Sequence, residues 1–154
     1  MRSDVTRFRK PSLVLVRLAL GASFLSAVAD RFGLWGAYGQ PNVSWGNFAR
    51  FVDYTAKLNW YLPPPVIPPA AIIATAAEAL LGLLLIIGWK TRMTAVLSAV
   101  LLTTFALAMT ISLGVKAPLN YSVFSAATGA LLLGVADDSP LSLDAWFRRS
   151  RHAD

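Results

Sequence analysis

Apolar residues in this chain fall into long runs instead of the half-buried spacing of a soluble fold. The runs cover about 12–30, 66–88, 93–113 and 118–136, each close to the roughly 20 residues a helix needs to cross the hydrocarbon layer. The pattern predicts an all-α membrane protein built as a four-transmembrane-helix bundle. Pro63, Pro64, Pro65, Pro68 and Pro69 separate the second run from what precedes it, since proline is tolerated in a first helical turn and not in a helix interior. Pro118 is placed to open the fourth run, and Gly88-Trp89-Lys90-Thr91-Arg92 is a tight basic connection between the second and third.

The connection from Asp30 to Pro65 has a pattern of its own. Phe48, Phe51, Val52, Thr55, Leu58 and Leu62 recur at three- and four-residue spacing with Arg50, Asp53 and Lys57 between them, which predicts an amphipathic helix within about 45–62. Trp35, Tyr38, Trp45, Tyr54, Trp60 and Tyr61 are side chains that settle at the headgroup level. The segment is therefore expected to be an extracytoplasmic aromatic element that anchors at the interface, or a lid over a substrate or partner. After the fourth run, Asp137-Asp138-Ser139-Pro140 turns the chain into Leu141, Leu143, Trp146 and Phe147, an amphipathic stretch in a cytoplasmic tail, 137–154, expected to rest on the membrane face.

Composition sharpens the class. Of 154 residues, 56% are hydrophobic and only 14% charged, against roughly 25% charged in soluble domains, so one membrane domain, 1–154, accounts for the chain and the lipid bilayer is its first partner. The net charge of +6 sits at segment ends and not on one face interleaved with aromatics, which argues against nucleic acid. Nine basic residues fall in the N-terminus (Arg2, Arg7, Arg9, Lys10), the second connection (Lys90, Arg92) and the tail (Arg148, Arg149, Arg151), and four (Arg31, Arg50, Lys57, Lys116) on the other side. The positive-inside rule then puts both termini in the cytoplasm of a multi-pass protein of the bacterial cytoplasmic membrane. A basic start, an apolar centre and Ala27-Val28-Ala29 also fit a cleavable signal peptide, but Arg17 interrupts that centre and favours a retained span. Without cysteine there is no disulfide, thiolate metal site or dithiol relay, and His152 alone builds no zinc or haem site.

The candidate chemistry lies in a few polar residues within or beside the runs. Glu78 falls near the middle of the second run, where an ionised carboxylate is costly unless neutralised, paired or wetted. Ala71, Thr75, Glu78 and Gly82 share one helical face, a small and polar stripe expected to turn inward. Glu78 is expected either to be a protonated packing residue bonded to a neighbouring hydroxyl or carbonyl, or to handle protons or bind a ligand with Thr75 beside it. Arg17 is expected to snorkel to the cytoplasmic headgroups, with a pairing to Glu78 as the sharper alternative. Asp30 and Arg31 close the first span while Lys116, Asn120 and Tyr121 open the fourth; they line one shallow polar pocket under the aromatic segment, or merely cap helices. No phosphate loop, nucleophile elbow or histidine pair at ligand spacing is present, so an enzyme acting alone is not expected.

Several of these stretches resemble a known family. Arg17-Leu18-Ala19-Leu20-Gly21 leading to Asp30-Arg31-Phe32-Gly33, then Glu78-Ala79-Leu80-Leu81-Gly82 running to Gly88, and the ending Leu141-Ser142-Leu143-Asp144 are similar to the DoxX family of small four-helix membrane proteins. The first connection is longer and more aromatic than in the shortest members, and Asp137-Asp138-Ser139 stands where glycines usually precede the Ser-Leu-Asp ending. The resemblance implies an auxiliary subunit of a redox-associated membrane complex with another membrane or redox protein as partner, and together with the buried acid it points to a quinone as cofactor near Glu78; a homo-oligomer is a further expectation. A structural or chaperone-like interaction protein is the alternative, and a small-solute transporter a weaker one, because neither an inverted repeat nor a broken pair of helices is seen.

Overall fold

The computed structural model describes residues 2–136 and 140–150, without the side chains of 2–7, 148 and 149. The expected turn at Asp137-Asp138-Ser139 and the tail residues Arg151 and His152 lie outside the described residues, as do the side chains of Arg2, Arg7, Arg148 and Arg149.

Among the described residues the chain is all helical, in seven helices: α1 (Arg2–Arg31), α2 (Phe48–Leu58), α3 (Ile67–Ile87), α4 (Thr91–Leu113), α5 (Lys116–Asn120), α6 (Val123–Val135) and α7 (Leu143–Ser150). Three stretches, Phe8–Arg31, Pro64–Ile87 and Thr91–Leu113, are long and apolar enough to cross a membrane. They make this a membrane protein. The prolines act where the pattern put them: Pro64–Val66 forms a 3-10 turn and the next prolines occupy the first turn of α3, where a missing N–H costs nothing.

The fourth expected span, 118–136, is divided. Pro118 is buried within α5, the chain turns at Tyr121 and Ser122, the latter at φ 55°, and α6 then runs for 13 residues. At 1.5 Å per residue α6 is about 20 Å long, short of the roughly 30 Å hydrocarbon core.

Packing is the inverse of a soluble bundle. Ile73, Leu80, Val100, Ile111 and Leu132 are exposed, while Ala71, Ala95, Ala106, Ala130 and Ser98 have no accessible surface. Small residues let helix backbones approach, and the large apolar side chains face lipid. α1 packs on α3, and α4 on α6. The first pair crosses at two glycines: a Cβ on Gly21 would sit 3.0 Å from the Gly82 carbonyl oxygen, and one on Gly82 would sit 3.0 Å from Leu25. Leu20, Phe24, Leu81, Leu85, Ala95, Ala99, Ala130 and Leu133 join both pairs into one core.

A buried ion pair under an aromatic roof

The stripe read from the spacing of α3 is buried throughout: Ala71, Thr75, Glu78 and Gly82 all face the interior. Glu78 is 2% exposed and its partner is Arg31, also 2% exposed, at the end of α1. One guanidinium nitrogen of Arg31 donates to both carboxylate oxygens of Glu78 at 2.8 Å, and the other donates to the Thr75 hydroxyl at 2.8 Å. The hydroxyl in turn donates to the Ala71 carbonyl at 2.8 Å. The carboxylate is thus neutralised by a cation and not by a hydroxyl or carbonyl neighbour, and Arg31 Nε is left as a buried donor with no partner among the described residues.

The segment between α1 and α3 closes over this pair. Phe51 of α2 stacks on the guanidinium at 3.6 Å, and Trp45 lies 5.2 Å from it. Trp45 meets Phe51 edge-on at 5.2 Å between ring centroids. A cation against aromatic faces away from water gains electrostatically from both. Asp30 holds the roof in place: its carboxylate accepts from the backbone N–H groups of Ser44, Trp45 and Gly46 at 2.8–3.3 Å. Asn47 caps α2 by accepting from the Arg50 N–H at 3.0 Å, so the acid, the cap and the ring stack act in sequence along the chain. Beside the roof, an open cleft of about 810 Å³ is lined by Ser23, Ser26, Asp30, Trp35, Asn42 and Trp45, among others.

Arg17 does not pair with Glu78, and it does not snorkel. It is 3% exposed and donates to the carbonyls of Leu85 and Ile86, at 3.1 and 3.3 Å, and to that of Leu141 at 2.6 Å. Leu85 and Ile86 belong to the last turn of α3, whose carbonyls have no partner within the helix and carry its negative dipole end. The guanidinium needs the space over Gly88, where a Cβ would lie 2.0 Å from it and where φ is +69°. The tail completes this second cluster: the Asp144 carboxylate accepts from the N–H groups of Lys90 and Thr91 at 2.8 and 2.7 Å.

Lys116, Asn120 and Tyr121 stand apart from the pair. All three are exposed on or just after α5, and among the described residues none bonds to Asp30 or Arg31. Tyr121 does approach α2: burial first, and then this neighbouring phenol, push the Tyr54 hydroxyl above its ordinary range. The sequence reading missed the roof residues Phe51 and Trp45 as partners of Arg31. The signal was present as aromatic residues following a basic one, but rings at a membrane surface have so many uses that the pairing does not stand out.

A family model described as methylamine utilisation protein MauE matches residues 9–120, from α1 through the roof, α3, α4 and α5. No curated protein and no solved structure matches. The match overturns the resemblance to the DoxX family, whose quoted motifs are short and coincide with packing features: Gly21 and Gly82 are the helix crossing, and Leu141-Ser142-Leu143-Asp144 is the segment that caps α4. With residues 9–120 matched, the chain belongs to the MauE family.

Proposed function

We propose that the protein is an accessory membrane protein of a methylamine utilisation system, and that it works by holding another membrane protein and not by carrying out chemistry itself. The observation that carries this reading is the closure of the Arg31–Glu78 pair: both carboxylate oxygens accept from Arg31, and Thr75 occupies the other guanidinium nitrogen. A carboxylate so engaged is a packing element. A quinone site at Glu78 loses its motivation, since that expectation rested on the DoxX resemblance and on a buried acid in need of company, which Arg31 provides.

The same reading takes the chain as one membrane domain in the bacterial cytoplasmic membrane with both termini in the cytoplasm. α5 and α6 together make the fourth crossing, the turn at Tyr121–Ser122 lying near one interface, and α2 with its aromatic flanks lies on the extracytoplasmic side. There the exposed Phe32, Leu34, Trp35, Tyr38, Trp60 and Tyr61 are apolar side chains a partner could engage.

The test is growth. A strain lacking the chain should fail on methylamine as sole nitrogen source and grow normally on ammonium, with its uptake of labelled methylamine unchanged. Normal growth on methylamine sinks the assignment to this system; lost uptake replaces the accessory reading with transport.

A further inference from the structure

At the end of the bundle opposite the aromatic roof, the turn between α3 and α4 and the helix α7 form a surface that the proposed function does not use. The Asp144 carboxylate ties α7 to the backbone of Lys90 and Thr91, and the Asp144 N–H donates to the Gly88 carbonyl at 3.2 Å. α7 is thereby pinned at the level where one membrane-crossing helix ends and the next begins. Its apolar side chains are nevertheless uncovered: Leu141 is 81% exposed, Trp146 60% and Phe147 48%, and Trp89 beside them is 43% exposed. Trp146 and Phe147 pack edge-on against each other at 4.9 Å, so they form one wedge.

Two cations flank this wedge. Lys90 and Arg92 are exposed, and the Lys90 ammonium lies 5.2 Å from the Trp89 ring. Asp144 is the sole acid among the described side chains at this end, and each of its oxygens is engaged by a backbone N–H. Among the described side chains this surface therefore presents two cations against one acid that the backbone already engages, next to an apolar wedge and at the depth of the headgroups. A protein partner would need acidic and apolar features in register, whereas an anionic phospholipid carries both by construction. The spans on either side of the turn already place it in lipid.

We propose that the 88–92 turn and α7 form a binding surface for anionic phospholipid, with Lys90 and Arg92 facing the phosphodiester and with Leu141, Trp146 and Phe147 entering the acyl boundary beside it. Each basic side chain near a membrane surface is worth about fivefold in affinity for acidic lipid. Amphipathic helices bind by summing this with buried apolar area.

The test uses the full chain in nanodiscs of mixed phosphatidylglycerol and phosphatidylcholine with matched acyl chains, read by native mass spectrometry of the lipids that stay bound. Both faces of a nanodisc carry the same lipid, so the result is independent of orientation and of the methylamine assignment. The native chain should retain phosphatidylglycerol preferentially. K90Q/R92Q should lower that preference roughly 25-fold. Equal retention of the two lipids by the native chain, or undiminished preference in K90Q/R92Q, overturns the proposal. If K90Q/R92Q loses helical content by circular dichroism, the native chain decides alone: its preference must fall at high salt, where surface charges are screened, and a salt-independent preference overturns the proposal.

Discussion

α1 carries two buried arginines, 14 residues and about 21 Å apart, and the molecule neutralises them by different means. Arg31 meets a carboxylate, a hydroxyl and two aromatic rings. Arg17 meets carbonyl oxygens, two from the end of α3 and one from the tail. The first solution takes two charges out of water and makes each dependent on the other. The second spends a single charge on acceptors that the end of α3 leaves free in any case. One site should therefore fail badly when half of it is removed and tolerate removal of the whole, while the other should lose stability in smaller steps.

The largest effect is expected at the ion pair. Arg31→Met strands the Glu78 carboxylate and should cost about 3–5 kcal/mol, the usual penalty for breaking a buried pair. In Arg31→Met/Glu78→Leu no charge is left, and Thr75 keeps its own bond to the Ala71 carbonyl. That variant should return to within about 1 kcal/mol of the native chain or exceed it. Thermal unfolding in detergent measures both; a double variant no better than the single one would break the comparison, because the pair would then be more than mutual neutralisation.

At the Arg17 cluster no second substitution should rescue the first. Arg17→Met leaves carbonyls unsatisfied and is expected to cost about 2 kcal/mol. Gly88→Ala puts a Cβ 2.0 Å from the guanidinium at a φ of +69°, adding about 1 kcal/mol of left-handed backbone strain to the same lost bonds. In the Arg17→Met background, Gly88→Ala should then cost that strain, about 1 kcal/mol, and the displacement of Ser142, 2.4 Å from the same Cβ, but not the lost bonds a second time. Full additivity of the two substitutions would mean that Gly88 and Arg17 act independently, against the geometry.

The difference between the two sites also explains what the sequence could tell. The inward stripe Ala71, Thr75, Glu78 and Gly82 is legible because helical periodicity fixes which side chains share a face, and the need of Glu78 for company follows from its depth. Its partner was not legible. Estimating depth from position along a span ignores the reach of an arginine side chain, so Arg31, at the end of α1, reads as lining a shallow pocket or capping a helix, whereas its guanidinium turns inward beneath Phe51 to reach Glu78. Arg17 departs from its expectation for a different reason: its acceptors are backbone carbonyls, which leave no trace in residue types. The break at Tyr121–Ser122 is hidden by Pro118, which reads as the start of a helix; here it is the third residue of the five-residue α5, and the longer helix begins only at Val123. The family was misassigned because glycines at a helix crossing and an acid near a span centre are demands of tight membrane packing, which unrelated bundles share.

The smallest expected effect lies in the tail and tests how the Arg17 cluster is held shut. Lys90, which precedes α4, is itself left-handed and offers no side-chain cap, so the first N–H groups of that helix need an acceptor from elsewhere. Asp144 supplies it from more than fifty residues away, its carboxylate standing where an N-cap aspartate would. Removing an N-cap costs typically about 1 kcal/mol, and Asp144→Ala should lower unfolding stability by that amount. The loss should also be local: hydrogen exchange at the Lys90 and Thr91 amides should accelerate while the Arg31–Glu78 end keeps its protection. Because Leu141 lies three residues before Asp144 and accepts from Arg17 at 2.6 Å, the same variant should loosen that bond and reduce the cost of a subsequent Arg17→Met. If the two substitutions add without coupling, the tail merely rests on the bundle, and Arg17 is held by the end of α3 alone.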